Sequence, residues 1–192
     1  AICVYCASSS QIDQSYINAA FHLGQAIADS GHEMVCGAGH SGLMGAIING
    51  VLNKNGVAIG IIPQFMVDNK WHHPHLSELI ITPDMHSRKE KMAQMSKASI
   101  AMPGGCGTLE ELLEIITWRQ LGLYNGNIVI LNLNNYFDPL LKMLDKAIDN
   151  GFMKADHKNI WQVATSVKQA VELAIENDIK PITNQIYKLK DS

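Results

Sequence analysis

The side chains with the most chemistry to offer stand together in the run GGCGTLEELLE, residues 104–114. Gly104, Gly105 and Gly107 let the backbone turn sharply and approach a ligand closely. Cys106 adds a thiol, Thr108 a hydroxyl, and Glu110, Glu111 and Glu114 carboxylates. A strand-like run over 98–102 stops at Pro103. After Thr108 a helix is predicted, with Leu109, Leu112, Leu113 and Ile116 on one apolar face. Strand, glycine nest and helix N-terminus in succession make a seat for an anion, because free N–H groups and the positive end of the helix dipole converge there. Acids beside such a seat suit a ligand that is anionic at one end and becomes cationic at the other during reaction. A ribose 5-phosphate whose C1 turns into an oxocarbenium ion fits that description. Thr108-x-x-Glu111 is also the spacing of a capping box, and on spacing alone capping is the stronger reading.

A second group lies just upstream. Arg88 and Lys89 fall in the first turn of a helix predicted over 85–97, where cations oppose the dipole. Such a local conflict marks either an anionic neighbour or a solvated basic pair. Met85, Met92 and Met95 mark the expected buried side of this helix, and Ser87-x-x-Glu90 reads as its capping box. Further back, Gly37-x-Gly39-x-x-Gly42 matches a dinucleotide fingerprint literally. The following strand, however, ends in Ile61-Ile62-Pro63 with no acid for a ribose. That turn is either another wall of the ligand cleft or a tight packing turn.

Two other clusters point away from metals. His72, His73 and His75 lie in an irregular stretch, 64–77, beside Trp71 and Pro74. No carboxylate or cysteine completes a site, so a lid or surface loop is expected. Cys3 and Cys6 lie in a strand, where positions three apart face opposite sides. With Cys36 and Cys106 they read as reduced thiols rather than a disulfide framework.

The elements that must position these residues follow a strand–helix alternation. Strands are predicted over 2–6, 33–36, 57–62, 79–82, 98–102, 128–133 and 160–164. Helices are predicted over 13–29, 43–54, 85–97, 136–150 and 166–177, besides the one after Thr108, and a polar tail begins at Lys180. The polar turn Ser8-Ser9-Ser10 follows the first strand. Apolar rather than alternating strands argue for a parallel sheet covered on both faces. The expectation is an α/β, Rossmann-like, doubly wound, mainly parallel sheet of six to seven strands, in one domain over 1–192. The net charge is −3, and no basic patch or apolar run of membrane-spanning length occurs, which points away from nucleic acid and membrane and towards the cytoplasm.

DMHSRKEKM (84–92) followed by MPGGCGTLEELLEIITWRQLG (102–122) resembles the paired signature of the Lonely Guy (LOG) family. The likeness extends to the serine turn, to 37–45 and to NNYFDPLLKMLDKAIDNGF (134–152). It implies a Rossmann-like homodimer, with further assembly open. It also implies hydrolysis of the N-glycosidic bond of AMP or an N6-modified AMP, without cofactor or metal. The family's catalytic arginine and glutamate map to Arg88 and Glu111. Its binding positions map to Lys89, to Gly105, Cys106, Gly107, Thr108 and Glu110, and to Thr117. Ser8, Ser9, Gly39, Gly42 and Gly104 complete the expected substrate-binding set. Two departures stand out. Ala38 replaces a glycine, tolerable where φ is negative, and Lys70 falls at an acidic substrate-contacting position. A nucleotide or molybdenum-cofactor carrier would use the same cleft without chemistry at Glu111. A pyridoxal-dependent decarboxylase lacks a convincing lysine motif, and a Rossmann oxidoreductase lacks its acid.

Overall fold

The computed structural model describes residues 1–176. Seven strands form one sheet: β1 (Ile2–Tyr5), β2 (Met34–Cys36), β3 (Ala58–Pro63), β4 (Glu78–Thr82), β5 (Ala98–Ala101), β6 (Asn127–Leu131) and β7 (Gln162–Ala164). Their order is β4-β3-β2-β1-β5-β6-β7 and every pairing is parallel. The chain winds outward from β1 in one direction, then returns to β5 on the other side of β1. This reversal opens a crevice at the carboxyl ends of β1 and β5, where open α/β sheets bind ligands.

The helices are α1 (Gln14–Asp29), α2 (Gly42–Asn53), α3 (Gln64–Asp68), α4 (Met85–Gln94), α5 (Cys106–Leu121), α6 (Asp138–Asp149) and α7 (Val167–Ile175). α1, α2 and α7 cover one face of the sheet; α4, α5 and α6 cover the other. Strand residues alternate between the two cores. Val4 and Cys6 lie in the first and Cys3 and Tyr5 in the second, so the two cysteines do face opposite sides. α1 and α2 approach to backbone contact at Gly24 and Gly50, where an added Cβ would stand 2.2 Å from the Ile47 carbonyl and 2.0 Å from that of Phe21.

Several local expectations need correction. The stretch 64–77 is not wholly irregular, since α3 opens it. α4 ends at Gln94, short of 97, because the Ser96 hydroxyl turns back to the carbonyls of Met92 and Ala93. Its cap is Asp84, whose Oδ1 accepts the Ser87 N–H at 2.8 Å; Ser87-x-x-Glu90 plays no part. Only Met92 of its methionines is fully buried, and Met85 is exposed towards the cleft described below. α6 starts at Asp138 rather than 136, because Asn134 and Asn135 are left-handed. α7 is capped by Ser166 and ends at Ile175; the expected helix end at 177 and the tail from Lys180 lie outside the described residues.

The largest correction concerns α5. It begins at Cys106, two residues before Thr108, with Gly105 as its cap. Its buried residues are Thr108, Glu111, Leu112, Ile115, Ile116 and Arg119, while Leu113 is exposed. The inward stripe is therefore rotated by about one position from the leucine stripe. Three polar residues, Thr108, Glu111 and Arg119, occupy places that an apolar periodicity would never assign to the core.

Candidate active site

A cleft of about 660 Å³ opens at the carboxyl ends of β1 and β5, within the size range of small-molecule sites. Its floor comes from the turn after β1, with Ser8 and Ser9, and from the first turn of α5, with Gly105, Gly107 and Thr108. Gly105 has no side chain to cap the helix, so the N–H groups of the first turn of α5 are left for a ligand. A third wall is the turn after β2, with Gly37 and Gly39. The fourth is apolar and comprises Met44, Met66, Trp71 and Met85.

Arg88 and Glu111 also line this cleft. Arg88 Nη1 lies 3.0 Å from Glu111 Oε1, and their side chains are only 6% and 8% exposed. Arg88 Nε donates to the Ile61 carbonyl at 3.1 Å. Its Nη2 packs over the bare Cα of Gly37, 1.9 Å from where a Cβ would stand. Glu111 is therefore neither a cap nor a surface acid. Its carboxylate is committed to a buried guanidinium, and the capping-box reading of Thr108-x-x-Glu111 falls.

A family model described as possible lysine decarboxylase matches residues 44–174. A cytokinin riboside 5′-monophosphate phosphoribohydrolase of Arabidopsis thaliana is 40% identical over 171 residues, 89% of this chain and 75% of that protein. A probable enzyme of the same name from Oryza sativa subsp. japonica is 42% identical over 172 residues, 90% of this chain and 76% of that one. The chain belongs to the Lonely Guy family. Among solved structures, the molybdenum cofactor binding protein of Rippkaea orientalis superposes with a TM-score of 0.68 at 23% identity, covering 90% of this chain and 93% of that one. At that identity the likeness speaks for the fold alone.

In this Lonely Guy chain the ion pair joins the two signature stretches, α4 supplying Arg88 and α5 supplying Glu111. Burial pushes the Glu111 carboxyl above its ordinary value, and the neighbouring guanidinium opposes that rise without cancelling it. Burial also raises the thiol of Cys6 at the edge of the cleft, with Cys36 and Glu111 adding to the rise.

The remaining expected binding residues stand outside the cleft lining. Lys89 turns the other way and bonds Glu110 Oε1 at 2.7 Å and Glu114 Oε1 at 3.3 Å. Burial alone would lower its pKa, but the hydrogen bonds it donates to these two carboxylates carry it upward. Thr117 donates to the Leu113 carbonyl within its own helix. Cys106 is exposed in the first turn of α5. Gly42, at φ +61°, packs under the serine turn, where a Cβ would meet the Ser9 carbonyl at 2.2 Å. Gly104 packs against Thr108 and turns its carbonyl to Tyr136.

The glycine turn departs from expectation at Ala38. Its φ is +69°, left-handed, so alanine is strained there rather than accommodated. The backbone holds it nonetheless. His73 N–H donates to the Ala38 carbonyl at 2.8 Å, His40 N–H donates to the Trp71 carbonyl at 3.1 Å, and Gly39 pairs with His72. His73, 6% exposed, has its Nε2 3.1 Å from Asn49 Oδ1. The histidines thus tie the 71–73 strap to the glycine turn and hold Trp71 against the cleft. Among the described residues, no group of three or more His, Cys, Asp or Glu is arranged to hold a metal ion. The pattern of the sequence missed Met44, Met66 and Trp71 as cleft residues. Met44 lies in α2 and Met66 in α3, where apolar spacing carries no sign of a cleft, and Trp71 stands in the connection after α3.

Proposed function

We propose that this chain hydrolyses the N-glycosidic bond of a purine nucleoside 5′-monophosphate, AMP or an N6-modified AMP, to the free base and ribose 5-phosphate. The observation that carries the reading is the buried Arg88–Glu111 pair in the cleft wall, one helical turn from the uncapped start of α5. Thr108 and Glu111 are three residues apart, about 4.5 Å of helix rise, comparable to the reach from a 5′-phosphate to C1 of its ribose. The phosphate accepts hydrogen bonds from the N–H groups of the first turn and from the Thr108 hydroxyl. The base lies towards Met44, Met66 and Trp71.

As the C1–N9 bond lengthens, its electron pair moves onto the purine and positive charge grows on C1. The Glu111 carboxylate stabilises that charge and takes a proton from the attacking water. The water oxygen bonds to C1, and the departing purine gains a proton from solvent. Arg88 favours the ionised form of Glu111 against the effect of burial and holds the carboxylate in place. Preorganised charge of this kind lowers barriers by about 3–4 kcal/mol per group.

The reading extends to a single cytoplasmic domain working as a homodimer, with Ser8, Ser9 and Gly39 at the substrate. Incubation with AMP, isopentenyl-AMP and adenosine, with free base and ribose 5-phosphate measured by chromatography, tests it. Release of base from a monophosphate in preference to adenosine is expected. Tight nucleotide binding without release would make the chain a carrier instead.

A further inference from the structure

On the cleft side, Thr108 packs against Gly104 and the Ala7 N–H donates to the Pro103 carbonyl at 3.3 Å, but Gly105 and Gly107 stand open. A Cβ at Gly105 or Gly107 would meet no atom within 4 Å. A further hold comes from outside: the Tyr136 hydroxyl donates to the Gly104 carbonyl at 2.7 Å. Tyr136 is not among the residues that line the cleft, and it is 43% exposed. For packing alone, phenylalanine would serve.

The backbone that presents this phenol is built with care. After β6, Asn134 and Asn135 are both left-handed, at φ +50° and +59°, a conformation non-glycine residues enter only at a cost. Asn132 locks the turn. Its N–H donates to the Ala164 carbonyl at 2.8 Å, its Oδ1 accepts the Phe137 N–H at 2.7 Å, and its Nδ2 donates to Asp138 Oδ1 at 2.8 Å. Phe137 is 1% exposed. The Tyr136 ring stands edge-on to Phe137 and to Tyr16, at 5.1 and 6.3 Å between centroids. Strain, network and stacking together aim one hydroxyl at one carbonyl.

That carbonyl sets the direction of the next N–H. In a trans peptide the C=O of Gly104 and the N–H of Gly105 point opposite ways. A carbonyl held outward by Tyr136 therefore turns the Gly105 N–H away from it, to the side where Gly105 lines the cleft. We propose that Tyr136 is a positioning residue for the phosphate seat, acting through the Gly104–Gly105 peptide. This rests on the phosphoribohydrolase reading above.

The test is Tyr136→Phe in the full chain, which keeps the ring and removes only the hydroxyl. Binding of ribose 5-phosphate and of adenine is measured by calorimetry, with the melting temperature alongside. Ribose 5-phosphate should bind about three- to tenfold more weakly, the size a single neutral hydrogen bond sustains. Adenine affinity and melting temperature should be unchanged. Equal ribose 5-phosphate affinity in the variant and the wild type overturns the proposal alone. So does a loss shared equally by adenine, which would mean a general loosening of the fold. Failure of the wild type to bind ribose 5-phosphate at all overturns the phosphoribohydrolase reading and this inference with it.

Discussion

α4 and α5 are bridged twice by neighbouring residues of the same two types. Arg88 meets Glu111 at 3.0 Å, while Lys89 meets Glu110 at 2.7 Å and Glu114 at 3.3 Å. Adjacent helical positions are about 100° apart, so one bridge faces the cleft and the other faces away. The shorter contact is not the more consequential one. The two cations are equally sealed, Lys89 at 7% and Arg88 at 6%, but Glu110 and Glu114 are 60% and 29% exposed and stay hydrated, whereas Glu111 is 8% exposed. Water screens the first bridge, and the interior amplifies the second. Burial, not separation, decides the direction: it pushes the Glu111 carboxyl above its ordinary value, whereas the Lys89 hydrogen bond holds exposed Glu110 below it.

That contrast can be broken from either side. Arg88→Met has the largest expected effect. It should abolish turnover and lower stability by about 3 kcal/mol, since it leaves the Glu111 carboxylate buried without its partner. The carboxyl, with its folded pKa raised further, is penalised only when ionised. The stability deficit against wild type should therefore shrink as pH falls through that raised value, which denaturant titrations at several pH values will check. Glu111→Gln keeps a hydrogen-bond acceptor for Arg88 and removes the charge. Turnover of AMP should drop by about 10²–10⁴-fold. In the wild type the acid limb of kcat/KM should lie above 4.5, because burial raises this carboxyl and the protonated form cannot act as base.

Gly37→Ala leaves both charges present and pushes a methyl into the guanidinium. A displacement of that kind should cost about 100-fold in kcat/KM. Combining it with Arg88→Lys should make the methyl far better tolerated in binding and melting measurements. Lys89→Met breaks the other bridge and should cost less than about 1 kcal/mol, with turnover within a few-fold of wild type. Glu110→Gln should be the mildest, barely measurable in melting and weakened further by salt. A large loss of turnover in either of these last two would show that the outer bridge, too, reaches the substrate.

The strand–helix alternation, the parallel sheet and the glycine nest were legible in residue order, because apolar runs, glycines and prolines act through local backbone physics. The choice of Arg88 and Glu111 was legible only through family resemblance. Spacing alone preferred a cap for Glu111 and left Arg88 open between an anionic neighbour and a solvated basic pair. The leucine stripe misled for the same reason: periodicity assigns apolar residues inward, and α5 turns Thr108 and Glu111 inward instead. Ala38 shows the limit in the backbone, since its left-handed φ is imposed by the 71–73 strap, which is distant in sequence.

By itself, the sequence determined which segments are strands, which are helices, and where an anion could sit, since these depend on neighbours within a few positions. The tertiary structure alone decided which of two adjacent arginine–lysine and glutamate–glutamate pairs is dehydrated. It also decided that Tyr136 reaches Gly104 and that Trp71 lines the cleft. Burial and hydrogen-bond reach depend on how the sheet brings remote segments together, and no local pattern records that.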